Sequence, residues 1–300
     1  MRSSSGSGWA EPDNASRSVY SGRQSSGLSG DQSLLLTLAS ALHKYRATAA
    51  MSAAAYVGDS PLFLFDYLLR LIRVLVLLSI WRLIVESKGA VSGMSLETLL
   101  TYTVISAMFS EILECRTDLP SALWDGSITG FFLQPMALVG QAAARNFGRW
   151  GFACLAFSVP LFLIAPLLGV NPLPASPAAG AWFVVSLVLS VGVGLAVEFI
   201  FVLLIAGLDQ NPWGIERLRS ALTTALSGAL VPLALMPWGI GEVFAWLPYA
   251  SMASAPLKIY TGTGEPRLLI PLQLTWAIAL SVLARWMWRR YREKLVGYGG

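Results

Sequence analysis

Three carboxylates stand where carboxylates are costly: Glu111, Glu114 and Glu198 all fall in or at the end of apolar stretches long enough to cross a lipid bilayer. An ionised side chain in hydrocarbon is unfavourable unless it meets protein, water or a counter-charge, so each marks a candidate functional position. Glu198 is the sharpest of the three. Ser186, Ser190, Gly194 and Glu198 recur every fourth residue and share one helix face, and small residues on a face let helices approach closely. Glu198 is therefore expected against another helix or a cavity, as a hydrogen-bonding residue between helices or as part of a translocation path.

Glu111 and Glu114 are three residues apart on one face, within reach of Arg116 or of Arg145 and Arg149. An interfacial salt-bridge cluster is the simpler expectation for them. Asp66, Arg70 and Arg73, at i, i+4 and i+7, are expected to pair and snorkel as anchors.

Other chemistries lack the residues they need. There is no G-x-x-x-x-G-K-[ST] phosphate loop, so ATP hydrolysis by that chemistry is not expected. His43 is the single histidine, which leaves no HExxH metal site and no Ser-His-Asp constellation. Cys115 and Cys154 are too few for a disulfide framework or a zinc cluster and read as packing residues. No catalytic residue, metal site or cofactor is expected in this chain.

The elements that must position the carboxylates follow from composition. Of 300 residues, 55% are hydrophobic and 13% charged, and the mean hydropathy is +0.61. That is too apolar for an ordinary soluble domain. The apolar residues gather into runs near the roughly 20 residues a spanning helix needs, not into the short alternating segments of a barrel. The runs are Leu62 to Val85, Leu96 to Cys115, Arg149 to Val170, Ala178 to Leu208, Ala221 to Met236 and Leu268 to Trp288. The expected fold is an all-α integral membrane protein with about six transmembrane helices.

Residues 1–32, rich in Ser and Gly, hold nothing that could bury a core and are expected as a disordered cytoplasmic tail. The membrane domain then occupies 33–300. It opens on an amphipathic stretch, Ser33 to Gly58, expected as an interfacial elbow helix. The segment Pro237 to Pro266 is too apolar for a free loop, and backbone at membrane depth needs internal partners, so short re-entrant outer helices are expected there.

Placing the N-terminus inside gives the cytoplasm Lys44, Arg46, Arg116, Arg145, Arg149, Arg217, Arg219, Arg289, Arg290, Arg292 and Lys294, and the outside only Lys88, Lys258 and Arg267. The positive-inside rule favours that orientation, with both termini cytoplasmic. The net charge of +4 flanks apolar runs and forms no stripe with interleaved aromatics, so nucleic acid is not expected as a partner.

Two tracts carry a resemblance. One is Gly126-Ser127-Ile128-Thr129-Gly130-Phe131-Phe132-Leu133-Gln134-Pro135-Met136. The other is Leu226-Ser227-Gly228-Ala229-Leu230-Val231-Pro232-Leu233 with Met236-Pro237. Leu247-Pro248-Tyr249, Pro256 and Tyr260-Thr261-Gly262 follow in order. From about Tyr56 to Gly300 the chain resembles the ABC-2 type exporter permeases, in particular the bacterial six-span branch.

The resemblance implies a permease subunit in the bacterial inner membrane that moves an amphiphilic small molecule, peptide or lipid outward. An ABC ATPase partner would bind ATP and Mg. The permease would act as a homodimer or as a heterodimer with a second ABC-2 permease. The resemblance also implies that Trp124, Asp125, Gly126, Phe131, Phe132 and Pro135 form the loop contacting the ATPase, and that Gly228, Pro232, Pro237 and Pro248 form an outer gate. Two readings from other classes are a membrane-embedded enzyme acting on lipid, with Glu111, Glu114 or Glu198 as acid or base, and a non-catalytic membrane scaffold.

Overall fold

A computed structural model describes residues 30–59, 63–89, 93–208 and 211–297, so the expected disordered tail lies almost wholly outside the described residues. The chain divides into two units, Met1–Lys44 and Tyr45–Gly300, and the second carries the packed helices. Every element of regular structure among the described residues is helical.

Among the described residues three helices are long and apolar enough to cross a membrane: Leu138–Leu168, Pro177–Leu208 and Pro266–Leu295. The first is a composite of α7 (Leu138–Ala153), a π turn (Cys154–Ser158), α8 (Val159–Ile164) and a 3-10 turn (Ala165–Leu168). Pro160 explains the π turn, because its missing N–H and its ring cannot accept α geometry with the residue four before it. The second is α9 (Pro177–Leu208) and the third lies in α14 (Pro266–Gly297). The outward faces of α9 and α14 carry Val184, Val185, Val188, Ile278, Val282 and Trp286, all exposed. An apolar surface of that extent marks a face covered by lipid or by another protein.

The remaining runs are less regular. α1 (Gly30–Asp59) covers the stretch expected as an elbow, and α2 (Phe63–Lys88) covers the first run. α2 is long enough to span but carries Asp66, Arg70, Arg73, Arg82 and Glu86. The second run breaks at Phe109 into α3 (Leu96–Met108) and α4 (Ser110–Glu114).

The fifth run needs a correction, since Ala221 to Met236 is not one helix. α10 (Pro212–Leu226) ends, and the chain turns at Gly228 with φ +73. A β-carbon there would lie 2.8 Å from the Leu233 side chain, so the turn requires glycine, and Pro232 then blocks return to a helix. Short helices α11 (Ile240–Ala245), α12 (Pro248–Met252) and α13 (Ser254–Tyr260) fill the segment before α14.

Two cores flank α9. In one, Val74, Leu78 and Trp81 of α2 pack with Leu99, Val104 and Ile105 of α3 and with Leu257 of α13. Phe183 of α9 joins it edge-on to Phe109 and Tyr260, with ring centres 5.1 and 4.9 Å away. In the other, α5 (Leu119–Trp124) and α6 (Ile128–Phe132) supply Leu123, Ile128 and Phe131 against Val202, Leu203 and Ala206 of α9 and Met287 of α14.

Candidate functional site

The small-residue face of α9 lies wholly against protein. Ser186 donates to Gln273 Oε1 at 2.8 Å, and Gln273 Nε2 donates to the Ser251 carbonyl at 2.8 Å, which ties α9 to α14 and α12. Ser190 donates to the Met252 carbonyl. A β-carbon on Gly194 would stand 2.6 Å from the Cys115 β-carbon. That close approach matters because Cys115 ends α4 in the left-handed conformation, φ +47. The turn throws the next residues back onto α9.

Thr117 consequently reaches Glu198. Its amide and its hydroxyl both donate to Glu198 Oε1, at 2.9 and 2.8 Å. The other oxygen, Oε2, sits 2.7 Å from Arg219 Nε. Arg219 also clasps Glu216 one turn back on α10, with bonds of 3.0 and 2.9 Å from Nε and Nη2. Glu198 and Arg219 are each only 1% exposed. Three elements thus meet at one buried ionic cluster: α9, α10 and the turn between α4 and α5. Composition pointed to Glu198, but the sequence reading left Arg219 among the cytoplasmic cations.

Glu111 and Glu114 enter a more open network. Glu111 pairs with Arg70 and lies 3.8 Å from Arg149, which stands 3.5 Å from Asp118. Glu114 pairs with Arg116 at 3.2 Å. Asp66 pairs with Arg70 at 2.8 Å, whereas Arg73 instead lines a cleft. This cleft, about 140 Å³, lies between α2, α3 and α10. Its walls mix Arg70, Arg73, Glu114, Thr223 and Thr224 with Val74, Leu77 and Leu230. Glu114, Thr223 and Thr224 also border a crevice beside Arg219, so cleft and ionic cluster adjoin.

The segment α5–α6 forms a tight double turn. Asp125 Oδ1 accepts from the Ser127 amide at 2.9 Å across Gly126, whose φ is +77. Hydrogen bonds from Ser127 hold the Asp125 carboxyl below the usual carboxylate range. The three aromatic residues of the loop expected to contact an ATPase divide. Trp124 is 58% exposed and Phe132 38%, with Leu133 beside them at 87%, but Phe131 is 4% exposed and points inward. The Arg145 guanidinium stacks over its ring 4.1 Å from the centre. Gln141 of α7 fixes the return by donating to the carbonyls of Phe131 and Met136, at 2.7 and 2.9 Å. The sequence reading missed Gln141. A lone polar residue on the inner face of an otherwise apolar helix start was the available signal. Pro135 lies in the non-helical link to α7.

Of the four outer-gate positions, Gly228 accepts from the Tyr102 hydroxyl at 2.7 Å, and Pro232 sets the turn after α10. Pro237 opens a 3-10 turn that leaves Trp238 with φ +57 and 91% exposed, and Pro248 starts α12. The structure brings Gly228 to α3 and places Pro237 in a separate turn. Among the described residues no group of three or more His, Cys, Asp or Glu is placed to hold a metal ion.

No curated protein and no solved structure matches the chain. The profile of the ABC-2 family transporter proteins matches residues 71–299. That match covers α3 to α14 and most of α2, including the α5–α6 double turn and the buried ionic cluster, and the chain therefore belongs to the ABC-2 family of transporter proteins.

Proposed function

We propose that this chain is the membrane-spanning subunit of an ATP-driven exporter. Six spans are assigned to α2, α3 with α4, the composite helix 138–168, α9, α10 and α14, with both termini in the cytoplasm of a bacterial inner membrane. α1 lies in the interface as an elbow, and α11 to α13 form the re-entrant outer segment and gate. The substrate is an amphiphilic small molecule, peptide or lipid. ATP and Mg are bound by a separate ABC ATPase, and the permease pairs with a second copy or a related permease.

The observation that carries this reading is the connection from an exposed surface to the buried cluster. Trp124, Phe132 and Leu133 present apolar surface at one end of the helices. Five residues before α5 ends, Leu119 N bonds Thr117 Oγ1, and Thr117 bonds Glu198. A push on α5–α6 is thereby delivered to α9 and α10 together, and packed elements of this kind shift between discrete arrangements. The cleft adjoining Arg219 is the candidate path for the substrate.

The test is copurification. The full chain expressed with its ATPase should copurify with a protein that hydrolyses ATP, while vesicles holding this chain alone show no hydrolysis above background. Robust hydrolysis by the isolated chain, or an activity with no dependence on an ATPase, refutes the reading.

A further inference from the structure

The cleft between α2, α3 and α10 holds hydrogen-bond donors that the fold does not use. We infer that it binds an amphiphile with an anionic oxygen head, a phosphate or carboxylate, on a hydrocarbon tail. Its role in export rests on the permease reading above, but the binding does not.

Thr223 Oγ1 carries the first part of the argument. Thr223 is 4% exposed, lines the cleft, and its hydroxyl has no hydrogen-bond partner among the described residues. A buried hydroxyl left unbonded is unfavourable, so a ligand that bonds it, once the Thr223 side chain turns its hydroxyl to the cleft, recovers that loss.

Charge carries the second part. Among the described residues three charged side chains line the cleft. Arg70 is neutralised by Asp66 and Glu111, and Glu114 by Arg116. Arg73 has no acidic partner among the described residues. Among the described residues the one uncompensated charge at the cleft is therefore positive, and with the Thr223 hydroxyl it offers donors to an acceptor-rich group. A cationic head would face Arg73 and would have to displace Arg116 to gain Glu114.

The tail site lies beside the donors, because Val74 and Leu77 stand one turn along α2 from Arg70 and Arg73. Val74, Leu77 and Leu230 face the cleft, and the outward face of α2 continues with exposed Ile72, Val76 and Ile80. A volume of about 140 Å³ holds a head and the first methylenes. The rest of the tail lies along that outward face of α2, where lipid would otherwise be.

The experiment is calorimetric titration of dodecyl phosphate into the full chain in nanodiscs of zwitterionic lipid. Saturable binding is expected. Arg73→Gln should weaken it about tenfold or more, and Thr223→Val about three- to tenfold. Ala107→Leu leaves both donors in place but fills the cleft, and should abolish binding. Dodecyl trimethylammonium should not compete, and inorganic phosphate should compete only at far higher concentration.

Equal competition by the cation overturns the anionic head, and equal competition by inorganic phosphate overturns the amphiphile. Unchanged affinity in both Arg73→Gln and Ala107→Leu overturns the site. If the expected affinities hold but no ATPase copurifies, the permease reading fails and the site stands. Copurification with unchanged affinities gives the reverse.

Discussion

Replacing Arg219 with Met should cost the fold about 3–5 kcal/mol, the range for breaking a buried ion pair from one side. The structure sets that magnitude. Arg219 makes two bonds to Glu216 and a 2.7 Å contact with Glu198, and its side chain is 1% exposed. Met fills similar volume but strands two carboxylates beside each other.

Glu198→Gln should cost less, about 1–2 kcal/mol, because the amide oxygen still accepts from Thr117 and Arg219 keeps Glu216. The double variant should recover part of the Arg219→Met loss, since only Glu216 then lacks its cation and that side chain is 21% exposed. Equilibrium unfolding in mixed micelles measures all three. An Arg219→Met protein within about 1 kcal/mol of wild type would refute the cluster as a structural unit. So would a double variant no more stable than Arg219→Met alone.

The aromatic residues of the double turn should separate by burial: Trp124→Ala with Phe132→Ala should reduce ATPase copurification at unchanged stability, whereas Phe131→Ala should lower stability by about 3–5 kcal/mol. Pull-down and unfolding on the same variants check both. Gly194→Val should destabilise by about 1–3 kcal/mol, because its β-carbon meets Cys115, while the same change at Gly192, where nothing lies within 4 Å, should be tolerated; thermal inactivation distinguishes them. The Asp125 carboxyl titrates below its unfolded value, so its support for the turn is complete above the ordinary carboxylate range and is lost only as pH falls through the lowered value. A spin label at Leu133 should therefore stay ordered at mildly acidic pH and loosen below that point, and Asp125→Ala should be loose throughout.

The small-residue face of α9 was legible because a four-residue recurrence is a property of one helix, and no tertiary knowledge is needed to read it. Its ionic partner was not read, though a depth argument was within reach. Glu198 stands ten residues before the end of α9 and Arg219 seven after the start of α10. At 1.5 Å per residue the two lie about 15 and about 10 Å from the turn joining them, nearly level. The fifth run misled because Ala, Leu and Val are apolar in helices and in extended chain alike, although Gly228 and Pro232 stood within it as the breakers that end the helix. Phe131 and Phe132 are adjacent in an apolar tract. Which one faces inward depends on where Gln141 and Arg145 bring α7, and that is a tertiary fact.

The buried cluster also orders how the protein can be made. Chains enter the bilayer from the N-terminal end, so α9 arrives with its carboxylate before Arg219 exists, and 21 residues separate the two positions. At about 5–20 residues per second that is an interval of about one to four seconds. α9 is apolar enough elsewhere to bear the charge meanwhile. α10 is in the opposite position: its 15 residues include Glu216, Arg217 and Arg219, which make it a poor span alone. On the topology proposed above, the waiting carboxylate of α9 would give α10 a reason to enter, and the two helices would insert as a hairpin. A ribosome that stalls between them would then leave a charge in the membrane for quality control to find.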